Sequence, residues 1–277
     1  MASGVTTRAQ KRRMGERDLW SLIVKNDGIT FTHILPRLNA TDLKFLYEVN
    51  SETRKLVKRS SRVGDLKKRF DVSEMSSIST LEFAWEHKSL WSSWLKYETH
   101  FCSEVARTNK LELLKWAREE KEYEWDERTI TVAAYQGNLE MVKYCVAKKC
   151  PINTRACSWA AENGHLEVIK YLREEGKVPW GWGTAAWAAQ NGQLHILEYL
   201  VERKYDQYSE DACFWAAGNG HLDCLKYLHE TAKAPWDEDA VREAHENKHF
   251  ECVQYCLDNN CPLPPNWRYE HGELHTI

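Results

Sequence analysis

Five residues near the end of the chain have the types and the spacing that could bind zinc. Structural zinc takes four ligands in a tetrahedron, and histidine nitrogens and cysteine thiolates are its usual protein ligands. The set is His245, His249, Cys252, Cys256 and Cys261. Similar segments earlier in the chain mostly carry Ile, Val or Leu where Cys252 and Cys256 stand, so these two thiols occupy apolar positions. We therefore expect no metal site here and no bound cofactor.

No other stretch has the spacing of a known catalytic or nucleotide-binding motif. The segment Gly181-Trp182-Gly183 is too short for a phosphate-binding loop and lacks the residues that should follow it. The HExxH, Gly-x-Ser-x-Gly and kinase patterns are absent from the sequence. The sequence therefore predicts that the protein is not an enzyme.

A segment that reads as two short helices recurs along the chain. Its clearest copy is Ala156–Gly176, ACSWAAENGHLEVIKYLREEG, in which Ala160 and Ala161 keep the first helix thin and Asn163-Gly164 ends it. The residues that open the second helix in six copies are Leu111, Leu139, Leu166, Leu194, Leu222 and Phe250. Their spacing of 27 or 28 residues is typical of a solenoid, in which each helix pair buries its apolar face on its neighbours.

The repeated pattern AA-x-x-GH-L-E-V-I-K-Y-L-x-x-x-G resembles the second half of an ankyrin repeat. It lacks the TPLH opening of that family, and each unit is shorter than the usual period of about 33 residues. The resemblance is to compact arrays of the kind known from unicellular algae, oomycetes and giant viruses. It implies an all-α, ankyrin-like solenoid over residues 99–263, preceded by a transition and degenerate capping repeat over 63–98 and followed by a fraying tail, 264–277.

The turn between the two helices carries glycine in four copies, at Gly137, Gly164, Gly192 and Gly220. At the two ends of the array we expect Lys110 and Lys248 to take this place. Terminal repeats tolerate such departures because one of their sides faces solvent.

Residues 19–62 follow a different pattern, ILPRLNATDL and then VNSETRKL. This resembles the F-box, a small three-helix module, although the opening Leu-Pro of that family is absent. The resemblance implies binding to the adaptor subunit of a cullin–RING ubiquitin ligase through a set of apolar residues: Ile34, Leu35, Leu38, Leu43, Val49 and Leu56. The alternative is a group of helices that only caps the first repeat.

Charge is distributed unevenly along the chain. Residues 1–69 hold 16 Lys and Arg against 7 Asp and Glu, whereas the remainder holds 22 against 34. Phosphate contacts need Lys and Arg, so an acidic array argues against nucleic acid and leaves a basic protein partner open.

The N-terminal residues 1–18 form a basic, polar tail without the apolar segment of a secretory signal, and no apolar run is long enough to span a membrane. We expect a monomeric intracellular protein of the cytoplasm or nucleus, with reduced thiols.

One row of residues lies at the same place in the first helix of successive repeats. Its members are Val132, Trp159, Trp187, Trp215 and Glu243. At about 100° per residue, Trp159 points away from the small residues that face the second helix. The row is therefore a candidate binding surface in the groove that the first helices line, as the ankyrin resemblance implies. The alternative is stacking between neighbouring first helices, which would make the row structural.

Together these patterns predict an interaction protein. In the first interpretation the array recognises a protein partner and the N-terminal module couples that partner to a ubiquitin ligase. In the second, the chain is a stand-alone binding or scaffold protein.

Overall fold

Small and apolar residues repeat along the chain, and in the computed structural model they pack into helix pairs. The structure describes residues 30–87, 91, 98–181 and 183–276. The predicted tail 1–18, the start of the module 19–62 and residues 88–90 and 92–97 of the predicted capping repeat lie outside these ranges. The chain forms two compact units. The first runs to Thr108 and includes Glu112–Lys121, and the second holds Asn109–Leu111 and Glu122–Ile277.

The first unit begins with two helical turns, Thr30–Ile34 and Leu35–Arg37. Two helices follow, α1 (Ala40–Val49) and α2 (Ser51–Arg59). An asparagine side chain caps each of them, because Asn39 and Asn50 accept hydrogen bonds from backbone amides of the first turn. The chain continues through α3 (Ile78–Glu86), α4 (Glu98–Arg107) and α5 (Leu111–Lys115), which widens over Trp116–Glu120. Residues 99–108 and 112–121, at the start of the predicted array 99–263, therefore belong to this unit.

The second unit is a row of antiparallel helix pairs followed by a hairpin. The first, inner helices of the pairs are α6 (Glu127–Tyr135), α8 (Arg155–Glu162), α10 (Thr184–Gln190), α12 (Glu210–Gly218) and α14 (Glu238–Glu246). The second, outer helices are α7 (Leu139–Ala147), α9 (Leu166–Glu174), α11 (Leu194–Glu202), α13 (Leu222–Tyr227, continuing as a wider turn to Ala232) and α15 (Phe250–Asp258).

Each outer helix begins at the residue that the sequence period predicts. The inner helices pack more closely on one another than the outer helices do. Paired alanines allow this, since Ala160, Ala161, Ala188 and Ala189 have no exposed surface. The predicted all-α helical-repeat solenoid is confirmed.

The turn inside each pair is built on a left-handed glycine. Gly164, Gly192 and Gly220 have φ between 68° and 74°. The amide of the glycine and that of the next residue donate to carbonyls of the preceding inner helix, as Gly192 and Gln193 do to Ala189 and Ala188. This is the Schellman arrangement that ends a helix with glycine.

The next repeat rests on this glycine. A Cβ on Gly192 would lie 2.8 Å from Nδ1 of His221, and one on Gly220 would lie 2.5 Å from Nδ1 of His249. His221 Nε2 also lies at hydrogen-bond distance, 3.1 Å, from the carbonyl oxygen of Gln190 in the preceding inner helix. Glycine is therefore required both by the backbone and by the neighbouring repeat.

The expectation about Lys110 is corrected by the structure. Asn109, not Lys110, adopts the left-handed conformation at this turn, with φ of 59°. The next repeat contacts it through Asn138, whose Nδ2 donates to Asn109 Oδ1 at 2.7 Å. At the other end Lys248 does occupy the glycine position, with φ of 65°.

The tail 264–277 was expected to fray, but its described residues form an antiparallel hairpin. Strand β1 (Trp267–Glu270) pairs with β2 (Glu273–Thr276). The ring of Trp267 meets that of His245 at 4.9 Å, and Tyr269 accepts a hydrogen bond from Gln254. These contacts attach the hairpin to the last helix pair.

We predict that Gly192→Val lowers the free energy of unfolding by about 1–3 kcal/mol, because valine is strained at positive φ and its Cβ would press on His221. Lys248→Gly is the control at the equivalent turn of the last repeat, and it should change stability little. Chemical denaturation of both variants measures the difference. Equal losses of stability would contradict this account of the turn.

Candidate functional site

Three tryptophans mark one face of the inner helices. Trp187 in α10 is 40% exposed, and Trp159 in α8 and Trp215 in α12 are half-buried. At the ends of the predicted row, Val132 is only 5% exposed and Glu243 is half-buried. Val132 therefore offers little contact surface to a partner.

The tryptophans keep part of their rings exposed because their neighbours hold only one side of each ring. Trp159 meets Tyr135 edge-on, with ring centroids 5.7 Å apart. Tyr135 is itself 43% exposed and extends the aromatic surface by one repeat. Tyr135 is not part of the predicted row, because it lies three residues after Val132 and not at the position of the tryptophans. A residue one helical turn further along the same face was the available signal.

Glu243 closes the other end of the row. A Cβ on Gly218 would lie 2.6 Å from Cγ of Glu243, so the glutamate stem covers this glycine. Asn247 Nδ2 donates to Glu243 Oε1 at 3.2 Å and to the Gly218 carbonyl at 3.0 Å. The row is thus aromatic in its centre and polar at this end.

An open cavity of about 530 Å³ lies where the loop before α12 meets the start of α10. Its lining residues are Gly183, Gln207, Tyr208, Ser209 and Asp211. Gly183 also abuts the exposed indole, since a Cβ there would lie 3.3 Å from Trp187 Nε1. Burial raises the pKa of Tyr208, whose hydroxyl has no hydrogen-bond partner among the described residues. The cavity therefore adjoins the tryptophan row and offers polar groups.

A second aromatic column has a packing role. Trp125, Trp180 and Trp236 lie just after the outer helices and each meets a tyrosine of the following outer helix edge-on, at centroid distances of 5.9, 6.3 and 6.2 Å. Arg173 also lies over the Trp180 ring at 4.2 Å. These ring contacts tie consecutive repeats together and leave the three tryptophans half-buried.

Comparison with known proteins agrees with the repeat geometry. The family model for ankyrin repeats matches residues 100–180 and 185–266, more than half of the chain. The chain belongs to the ankyrin-repeat family. Repeats of this family form protein–protein interaction modules, so the coarse function of the array is protein binding.

Other comparisons add little about what the ankyrin array binds. No curated protein matches the chain. Among solved structures, it is similar to a chain in the crystal structure of the yeast ribosomal protein Rps3 in complex with its chaperone Yar1. The identity is 23%, the match covers 48% of this chain and 91% of that one, and the TM-score is 0.23. A likeness this weak carries no argument about function.

Four of the five candidate zinc ligands have packing roles in the ankyrin array. Cys252, Cys256 and Cys261 are buried in its core, and the His249 ring rests on Gly220. Burial raises the pKa of Cys252 to about 11, so its thiol stays protonated at neutral pH. In the described part of the chain, no group of three His, Cys, Asp or Glu is placed to hold a metal ion.

The apolar residues of the F-box resemblance divide into two groups. Leu35, Leu43 and Leu56 are buried at 5% exposure or less and form the interior of the first unit, so they are not available as contact surface. Ile34 and Leu38 are half-buried, and Val49 is 48% exposed.

Within the described ranges, no helix has the length and apolar content needed to cross a bilayer.

A cavity of about 320 Å³ lies beside Val49, between α1 and α3 of the first unit. The residues that line it are Phe45, Glu48, Val49, Phe83, Glu86 and His87. Among the residues of the F-box resemblance, exposed apolar surface is therefore found at Val49, at the end of α1, and not at the buried leucines.

We predict that Trp187→Ala lowers the free energy of unfolding by only about 1 kcal/mol, because much of its ring already contacts water. Leu197→Ala, on the outer helix of the same repeat and fully buried, should cost about 2–5 kcal/mol. Denaturant titration of both variants makes the comparison. If the two losses were equal, Trp187 would be part of the core and the face would be structural.

Proposed function

We propose that this chain is a non-enzymatic interaction protein whose ankyrin array binds a protein partner on the inner-helix face. The main observation is the exposure of Trp187 between two half-buried tryptophans. Contiguous exposed aromatic surface is costly in water unless a partner covers it, and central aromatic residues supply much of the affinity at protein interfaces.

The charge of the array supports a partner with basic groups around an apolar centre. Asp206, Glu210 and Asp211 are exposed in the loop before α12 and in its first turn, and they form no ion pair with a described residue. Such a negative field increases the rate of association with a basic partner and is screened by salt.

This function predicts that Trp187→Ala weakens partner binding by about 2 kcal/mol, or roughly thirtyfold in Kd. Quantitative affinity capture from cell extract, with the array immobilised, measures which proteins are lost from the variant. Phe250→Ala is the control, since Phe250 is 67% exposed but opens an outer helix. Partners retained by Trp187→Ala, or lost equally from both variants, would contradict a binding role for this face.

We propose a finer role for the first unit as well, as a docking module for the adaptor subunit of a cullin–RING ubiquitin ligase. Exposed Val49 and the adjoining cavity support it, because docking needs apolar surface that the free unit leaves uncovered. The rival interpretation is that these helices only cap the solenoid and the array acts as a stand-alone scaffold.

Adaptor docking predicts that the wild-type chain co-purifies with the adaptor and that Val49→Asp abolishes this without changing the helical circular dichroism signal. Val49→Asp replaces the more obvious Leu35→Asp, because an aspartate at buried Leu35 would disrupt the core of the unit. Val63→Asp, at a valine that is 45% exposed outside α1, is the matched control. Absence of adaptor binding by the wild type would refute the adaptor role and leave the scaffold role.

A further inference from the structure

Charge changes sign at one position that recurs in successive repeats. This position lies eleven residues before the start of each outer helix and four residues before the tryptophan row, at or next to the start of the inner helix. In chain order its residues are Arg128, Arg155, Gly183, Asp211 and Asp239. At this position the charge is therefore positive in the repeats of α6 and α8 and negative in the repeats of α12 and α14.

The two charges nearest to the centre are available to a partner. Arg155 and Asp211 are exposed and form no ion pair with any residue in the described ranges. The outer two are already engaged, since Arg128 pairs with Asp126 at 3.5 Å and Asp239 pairs with Arg242 at 2.5 Å.

Asp211 also lines the cavity of about 530 Å³ that adjoins Trp187 through Gly183. A basic side chain in this cavity would meet the carboxylate of Asp211 and lie close to the exposed indole. Indole faces attract guanidinium and ammonium groups, so the cavity suits Arg or Lys better than an acidic or purely apolar side chain.

Arg155 and Asp211 lie two repeats apart, with the inner helix α10 and its exposed Trp187 between them. Packed helices are about 8–10 Å apart, so the two charges are separated by roughly 16–20 Å along the array. An extended chain covers this distance with about five or six residues, at about 3.3 Å for each.

We propose that the inner-helix face binds an extended segment of a partner protein in one direction only. The segment places an acidic residue on Arg155, apolar residues on the tryptophan row and a basic residue in the Asp211 cavity, with the two charged residues about five or six positions apart in the segment. This inference rests on the proposed protein-binding function of the same face and adds the chemistry and polarity of its partner.

The division of roles follows from exposure. Ion pairs at an exposed rim add little affinity, but a charge placed opposite a like charge is unfavourable, so such pairs fix register and direction. The tryptophans supply affinity for either direction. The two charges therefore distinguish one orientation of the segment from its reverse.

A peptide-display selection tests the proposal directly. A library of random 12-residue peptides is selected on four immobilised full-length proteins: the wild type, Trp187→Ala, the double reversal Arg155→Glu with Asp211→Lys, and a control double reversal Glu198→Lys with Lys204→Glu. The control residues are exposed on and after an outer helix, and both double reversals keep the net charge.

We expect peptides enriched on the wild type to carry an acidic and a basic residue in a fixed order around apolar residues. The control should enrich the same order, and the Arg155→Glu and Asp211→Lys protein should enrich the opposite order. In fluorescence anisotropy, a selected peptide should bind each single reversal about tenfold more weakly, and exchanging its two charges should restore binding to the double reversal.

Two kinds of result would overturn the proposal, and they can be told apart. If enrichment requires Trp187 but shows no charge order, or the same order on the reversed protein, the polarity is wrong and the face still binds. If no peptide is enriched, or enrichment is unaffected by Trp187→Ala, the proposed binding face fails together with its polarity.

Discussion

The contact between each turn glycine and the next repeat determines how the array is built. Gly192 and Gly220 adopt a left-handed conformation, and the rings of His221 and His249 rest where a Cβ would otherwise project. One glycine therefore ends a helix and seats its neighbour at the same time. Because this contact recurs in every internal repeat, it sets the register in which inner helix packs on inner helix.

That register decides which residues face water. The small residues of the inner helices are buried where neighbouring helices pack, since Ala160 and Ala188 have no exposed surface. Trp187 points away from this packing and is 40% exposed. A solenoid has no central core to absorb a large ring there. The proposed binding face is thus a consequence of stacking. Three consecutive repeats each leave one tryptophan partly exposed, on a rigid support that loses little conformational entropy when a partner binds.

Features that recur in each repeat could be predicted from the sequence, whereas features that occur once in the chain could not. The period located the first residue of every outer helix, because the same local pattern of alanines, glycine and leucines is tested again in each copy. The hairpin Trp267–Thr276 has no second copy, and its strands are fixed by tertiary contacts such as that of Trp267 with His245. Spacing alone also could not say that Leu35 and Leu43 are buried while Val49 is exposed, because burial depends on how the helices of the first unit pack.

Hydroxyl-radical footprinting of the free protein, read by mass spectrometry at each tryptophan, tests the account most directly. The central claim is that stacking leaves the tryptophan row accessible on the inner-helix face. Trp187 should be oxidised fastest, Trp159 and Trp215 more slowly, and Trp116, which is 6% exposed, least of all. Protection of Trp187 to the level of Trp116 would show that the row is covered within the molecule and would contradict the claim.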